Sequence, residues 1–427
     1  MGKLHTKNFI PQCAFTLLLF LMCLEDLVNI SFLQFFFKHI DELLVLLCFA
    51  YLALHIHFVF RKKWQLLYLW LGFMAIGIIS SLVYRYQAPV PSFIDAVVVI
   101  NKFMVGYLTA YVYCCLHPGA LSQRLTGAAR LITALLFVIA LHDLVMTPFF
   151  PRGEYRYFTQ SLVLMFPHST YLSAAMVTLL VLLGYTNKNN RNIPFMLMAT
   201  FIGMMTLRGK AIAFFALYWM MYLCLVIFRM RNLKALIVVG VLACIVIGYE
   251  QISDYFLTTT RYSPRQIMLK DSIPLALKHF PLGTGFGTFG STIAAQNYSP
   301  LYTQLGYPDN RGMNPLDTAY LTDSFWPEIF AQFGLIGTLL FVGVIILFVV
   351  YSIKTLKKNL IAGFSMLMIL INMLINSTAE SSFFNPASFL LFIIFGMLEA
   401  ENRHFCNPNE RGVIYGLSDG IRSTTHL

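Results

Sequence analysis

Thr322-Asp323-Ser324-Phe325-Trp326-Pro327-Glu328-Ile329-Phe330-Ala331-Gln332-Phe333-Gly334-Leu335-Ile336-Gly337 marks the point where the one long polar interval of the chain runs into an apolar segment of membrane-spanning length. The interval opens with Arg261-Tyr262-Ser263-Pro264-Arg265-Gln266-Ile267-Met268-Leu269-Lys270 and passes through Pro281-Leu282-Gly283-Thr284-Gly285-Phe286-Gly287-Thr288-Phe289-Gly290. Outside it, apolar runs alternate with short basic loops. Chemistry on a polar substrate is therefore sought in this interval.

The balance of residue types fits that division. Hydrophobic residues make up 58% of the 427, charged residues 11%, and the mean hydropathy is +0.70. A water-facing surface for a chain of this size needs far more charge, so the fold class is an all-α polytopic membrane protein. The net charge of +11 comes from short clusters between apolar runs. That pattern marks topology and contact with anionic lipids, with no nucleic-acid partner. The eight cysteines fall in the apolar runs or the C-terminal tail, and no disulfide framework is expected.

A span needs roughly 20 apolar residues. On that measure about 12 transmembrane helices are expected, near 13–33, 42–60, 65–83, 94–115, 126–146, 169–187, 193–207, 211–228, 235–252, 328–352, 360–376 and 384–400. The organisation is then helices 1–9 over 1–252, one large external loop over 253–327, helices 10–12 over 328–400 and a tail over 401–427. Thirteen Lys and Arg of the short loops, Arg61, Lys62 and Lys63 among them, lie on one side and six on the other. The positive-inside rule puts both termini in the cytoplasm and the large loop outside. The loop 147–168, with Arg152 and Arg156, faces the same way.

The segment Ile193 to Leu207 is short for a span, so Arg208 and Lys210 are expected at or below the outer head-group level. A cation held there calls for an anion, and a phosphate is the natural one; snorkelling to the interface is the plainer alternative. With Arg261, Arg265 and Lys270 these residues form an outward basic set suited to a diphosphate, because arginine forks bind phosphate bidentately. Topology alone is the competing reading of that set.

The glycines Gly283, Gly285 and Gly287 contain a G-x-G-x-x-G string, but no apolar strand precedes it and a Rossmann reading is set aside. They allow close backbone approach to a ligand, or simply a flexible loop. Asp323 is either a general base or a cap on the following helix. Asp95 and Lys102 are seven apart on one helical face and are read as a pair. Glu25, Asp26, His142, Asp143 and Glu380 are further ionisable residues in or near spans.

Taken in order, these motifs resemble the bacterial O-antigen polymerase/ligase superfamily, and within it the Wzy-type polysaccharide polymerases. The resemblance rests on the arginine between two central spans, the R-x-x-x-R opening, the P-L-G-x-G-x-G segment and the D-S-x-W exit that ends F-G-x-x-G. It covers about residues 200–340, and the remainder matches in hydropathy.

The resemblance implies a GT-C-like glycosyltransferase in the bacterial inner membrane, needing neither cofactor nor metal. It would transfer glycan from undecaprenyl diphosphate to a lipid-linked repeat unit of O-antigen or capsule. Arg208 and Arg265 match the family's diphosphate-binding positions; Asp323, which departs from the family pattern, is the third candidate catalytic residue because the acceptor hydroxyl calls for a proton acceptor. Lys210, Arg261, Lys270, Gly283, Gly285, Gly287, Arg152 and Arg156 are the expected substrate-binding residues. The implied partners are the undecaprenyl-diphosphate-linked oligosaccharide, membrane lipids, a chain-length regulator and a flippase. Superfamily ligases usually carry H-N where this chain has Asp323-Ser324, which favours polymerase over transfer to lipid A-core or protein. A lipid-linked oligosaccharide flippase is the alternative of another class, with Glu25, Asp26, Asp95 and Lys102 as its pathway; it lacks the two similar halves such transporters often show.

Overall fold

A computed structural model of the protein describes residues 40–117, 121–146, 148–157, 159–228 and 263–404. The spans expected at 13–33 and 235–252, Glu25, Asp26 and Arg261 lie outside them.

The described chain is mostly helical, with one two-stranded hairpin. In order it forms α1 (Ile40–Leu54), α2 (Ile56–Tyr84), α3 (Pro89–Ile94), a π-helical turn (Asp95–Val99), α4 (Lys102–Leu116) and α5 (Leu121–Val145). The hairpin pairs β1 (Tyr155–Arg156) with β2 (Thr159–Gln160). Then come α6 (Ser169–Tyr185), α7 (Ile193–Met205) and α8 (Gly209–Tyr222). The polar interval holds α9 (Pro264–Lys278), α10 (Thr292–Gln296) and α11 (Pro300–Gln304), and the chain continues through α12 (Phe325–Leu356), α13 (Leu360–Asn376) and α14 (Pro386–His404).

Four stretches, Ile56–Tyr84, Pro89–Leu116, Leu121–Val145 and Phe325–Leu356, are long and apolar enough to cross a membrane. They mark a membrane protein. The other apolar helices are shorter; α7 has 13 residues and is about 20 Å long. Two expected boundaries move. The break between the first two described helices falls at His55, and the Arg61-Lys62-Lys63 loop is helix with a kink at Lys63.

Lys63 is no surface topology marker. Its Nζ lies 2.6 Å from Glu399 Oε1, fully buried, over the rings of Tyr351 and Tyr111. Glu399 also takes the Tyr107 hydroxyl at 2.7 Å and Arg403 at 3.0 Å. A buried charge is tolerable only when paired in this way. This cluster closes one end of the bundle, some 20 Å along α14 from the helix start at Pro386. The bundle centre is aromatic: Phe103, Phe341, Phe348, Phe383, Phe384 and Phe392 interlock by edge-to-face contacts.

At the end opposite Lys63 the polar interval folds as a cap with its own small core, including Met268, Phe289, Tyr302, Tyr307 and Met313. Helix α9 starts on a capping box, with Ser263 and Gln266 exchanging side-chain to backbone bonds and Pro264 at the first helical position. The glycine segment fastens this cap to the bundle. Helix α12 is broken at Gly334, whose φ of 62° and ψ of −169° suit glycine. The carbonyls of Ala331 and Gln332 accept from the amides of Thr284 (2.8 Å) and Gly285 (3.0 Å). A Cβ on Gly334 would overlap the Leu282 carbonyl, and one on Gly283 would overlap the Gln332 carbonyl. The two glycine motifs of the sequence are thus partners of each other.

Candidate functional site

Between the cap and the bundle lies a cavity of about 1090 Å³. It is just above the ~300–1,000 Å³ usual for small-ligand pockets, so it has room for more than one small group. Arg208, Lys210, Arg156, Arg265 and Asp323 all line it, although they come from four separate stretches of chain. Glu154, His168, Lys102, Glu328, Asn372 and Glu380 are also part of its polar lining.

Arg208 stands in an extended conformation between α7 and α8, held from two directions. Its Nε donates to Ser169 Oγ at 2.7 Å, and its Nη2 lies 2.5 Å from His168 Nε2. Partial burial, and next the guanidinium itself, hold His168 below the ordinary imidazole range. A neutral ring is the one that can accept from arginine. Both supports belong to the start of α6, where the Nδ1–H that this tautomer leaves on His168 donates to the Thr170 hydroxyl at 3.0 Å.

Arg156, Lys210 and Arg265 carry carboxylate partners. Arg156, on β1, grips Glu154 Oε2 through Nη2 at 2.7 Å and Nε at 3.1 Å, and that hydrogen bond first of all lowers the Glu154 carboxyl below its usual range. Lys210 lies 3.4 Å from Glu380 at the α13–α14 turn. Arg265, in the first turn of α9, reaches Asp323 Oδ2 at 2.8 Å and donates from Nε to the Asp323 carbonyl at 3.1 Å. The pair is accessible, at 25% and 31% side-chain exposure, so it can exchange partners with a ligand.

Several expected residues sit elsewhere. Arg152 donates to the Asp143 carbonyl at the end of α5, where Asp143 also accepts from the Phe149 amide at 2.9 Å. Arg152 ties down the loop and lies outside the cavity lining, because the helix terminus offers its unpaired carbonyl first. Lys270 lies on α9 away from the cavity lining. Gly283, Gly285 and Gly287 face protein instead of a ligand: Gly283 packs on α12, Gly285 on Ser81 of α2, and the Gly287 amide donates to Asp95 Oδ2 at 2.7 Å. Asp95, expected to pair with Lys102, thus also holds the cap, and Lys102 is part of the cavity lining.

Asp323 does not cap α12. The N-cap residue is Ser324, and the Asp323 carboxylate is taken by Arg265. Glu328, five residues on, was visible in the sequence only as a carboxylate near the start of a span. The structure buries it completely in the cavity wall, where Oε2 accepts from Ser381 Oγ at 2.5 Å. An ionisable residue inside an apolar run is the signal that marks it. His168, Ser169 and Asn372 carried no such signal. Among the described residues no group of His, Cys, Asp and Glu is placed to hold a metal ion. Comparison with protein-family models and with curated proteins finds no match for this chain.

Proposed function

We propose that the protein is a GT-C-like membrane glycosyltransferase of about twelve spans that polymerises lipid-diphosphate-linked polysaccharide repeat units. In this reading it lies in a bacterial inner membrane with both termini cytoplasmic and the cap and cavity facing outward. One observation carries it: Arg208, Lys210, Arg156 and Arg265, far apart in sequence, converge with Asp323 on one cavity between an apolar bundle and a polar cap. A lipid-linked diphosphate needs that combination, an apolar flank for its tail and several cationic forks for its head.

The chemistry asked of the site follows from the leaving group. As the bond from the sugar to the diphosphate breaks, negative charge grows on the phosphate oxygens, and preorganised guanidinium groups stabilise it in place of proton transfer. Arg208 is preorganised by Ser169 and His168. Arg265 is aimed by Asp323. The remaining task is to align an acceptor hydroxyl with the anomeric carbon.

Deleting the gene tests the reading through the glycan that remains. Single repeat units at the cell surface are the expected outcome. Carrier-linked polymer that never reaches its surface anchor would make the protein a ligase, and repeat units trapped inside would make it a flippase. An unchanged glycan profile would remove the proposal altogether.

A further inference from the structure

Two buried polar atoms in the cavity wall have no hydrogen-bond partner among the described residues, Glu328 Oε1 and Asn372 Nδ2. Glu328 is fully buried and Asn372 is 4% exposed. Each side chain is held by its other polar atom. Glu328 Oε2 accepts from Ser381 Oγ, and Asn372 Oδ1 accepts from Asn376 Nδ2 at 3.4 Å. The stem of Glu328 is backed by Gly290, where an added Cβ would come 2.9 Å from the glutamate Cβ. Native proteins seldom leave such groups unpaired, because each forfeits its hydration on burial.

The two atoms are complementary. A carboxylate oxygen accepts and an amide nitrogen donates, and an alcohol does both at once, giving its proton to one while taking a hydrogen bond from the other. The remaining carboxylates of the cavity are engaged by cations: Asp323 by Arg265, Glu380 by Lys210 and Glu154 by Arg156. Glu328 is held by a neutral hydroxyl instead. Its free oxygen is thus the cavity carboxylate oxygen best placed to take a proton.

We propose that Glu328 and Asn372 form a hydroxyl-binding subsite for the acceptor sugar and that Glu328 Oε1 receives the acceptor's proton; this rests on the reading of the cavity as a site of glycosyl transfer. In the step, the acceptor oxygen bonds to the anomeric carbon while that carbon's bond to the diphosphate oxygen breaks. The electron pair leaves on the diphosphate, held by the cationic wall, and the acceptor proton passes to Glu328 and then to solvent. Ser381 and Asn376 are positioning residues, each turning one side chain so that its other atom faces the ligand.

The test uses the full-length protein in detergent with two readouts, binding of farnesyl diphosphate and the rate of chain extension from repeat units extracted from a deletion strain. Glu328→Gln should extend chains at least ~100-fold more slowly while binding farnesyl diphosphate as the parent does. Glu328→Asp should recover part of the rate, and Asn372→Leu should raise the KM for repeat units more than it lowers kcat. Near-parental extension by Glu328→Gln would overturn the proposal and leave the cavity's assignment standing. Loss of farnesyl diphosphate binding together with rate in that variant would also overturn it, since the glutamate would then be holding the cationic wall. A parent protein that neither binds farnesyl diphosphate nor extends chains would instead bring down the glycosyl-transfer reading, and the subsite with it.

Discussion

Arg265 holds Asp323 at two points, its Nη2 on the carboxylate at 2.8 Å and its Nε on the main-chain carbonyl at 3.1 Å. The first turn of α9 is thereby tied to the last residue before the α12 cap. The cap reading of Asp323 gives way to one in which the carboxylate aims a guanidinium. We predict that Arg265→Ala lowers chain extension at least ~30-fold and that adding Asp323→Ala costs little more, because contacting residues that act as a unit are not additive. Extension rates of the two single variants and the double variant check this. Fully additive losses would show that Asp323 acts on its own.

Arg208 spends Nε on Ser169 and Nη2 on His168, which leaves the rest of its fork for the cavity. Hydrogen bonds to a charged group contribute about 1.5–3 kcal/mol, so Arg208→Ala should weaken farnesyl diphosphate binding roughly 10–100-fold. Lysine keeps the charge but cannot reproduce three directed contacts. Arg208→Lys should therefore fall nearer to alanine than to the parent; parental affinity would reduce the residue's role to charge alone.

His168 supplies the pH dependence. Its folded pKa is depressed, so the neutral ring is favoured in the folded protein, and the contribution is present above the ordinary imidazole value and lost as pH falls through the folded one. Protonation would set an imidazolium against the Arg208 guanidinium. Chain extension is expected to drop on the acid side, below about pH 6.5, and His168→Gln should flatten that limb. An acid limb identical in the variant would assign it to another group.

Gly334 breaks α12 in a backbone region that costs other residues about 1–3 kcal/mol, and the Leu282 carbonyl occupies the space of a Cβ. Gly334→Ala is expected to lower the melting temperature of the purified protein by several degrees. It should also misplace the cap, so extension falls with stability. An alanine variant as stable as the parent would mean that the break is not required.

The cap and cavity lie at the opposite end of the bundle from Lys63 and Glu399. Asn297 and Asn189 are both exposed and belong to opposite ends. With the positive-inside orientation, an impermeant thiol reagent applied from outside should label Asn297→Cys and spare Asn189→Cys. The reverse pattern would turn the molecule over and put the cavity in the cytoplasm.

The sequence by itself determined the helical, membrane-embedded character of this protein, because a hydrocarbon layer dictates length and composition one segment at a time. It also marked Arg208, Lys210 and Asp323, which stand at the ends of apolar runs where charge is costly unless used, and Arg265 in the polar interval. Only the tertiary structure decided what those residues do. Arg265 and Asp323 are 58 positions apart, and nothing local to either makes one the partner of the other. Gly283, Gly285 and Gly334 have the same status: the left-handed break in α12 persists because amides some fifty residues earlier take its freed carbonyls. Burial did the rest. Lys63 reads in the sequence as one of three adjacent loop cations and in the fold as half of a sealed ion pair. Glu328 reads as a carboxylate near a helix start and becomes the buried acid of the cavity, since packing against Gly290 and Ser381, absent from any local pattern, determines which face of α12 is turned inward.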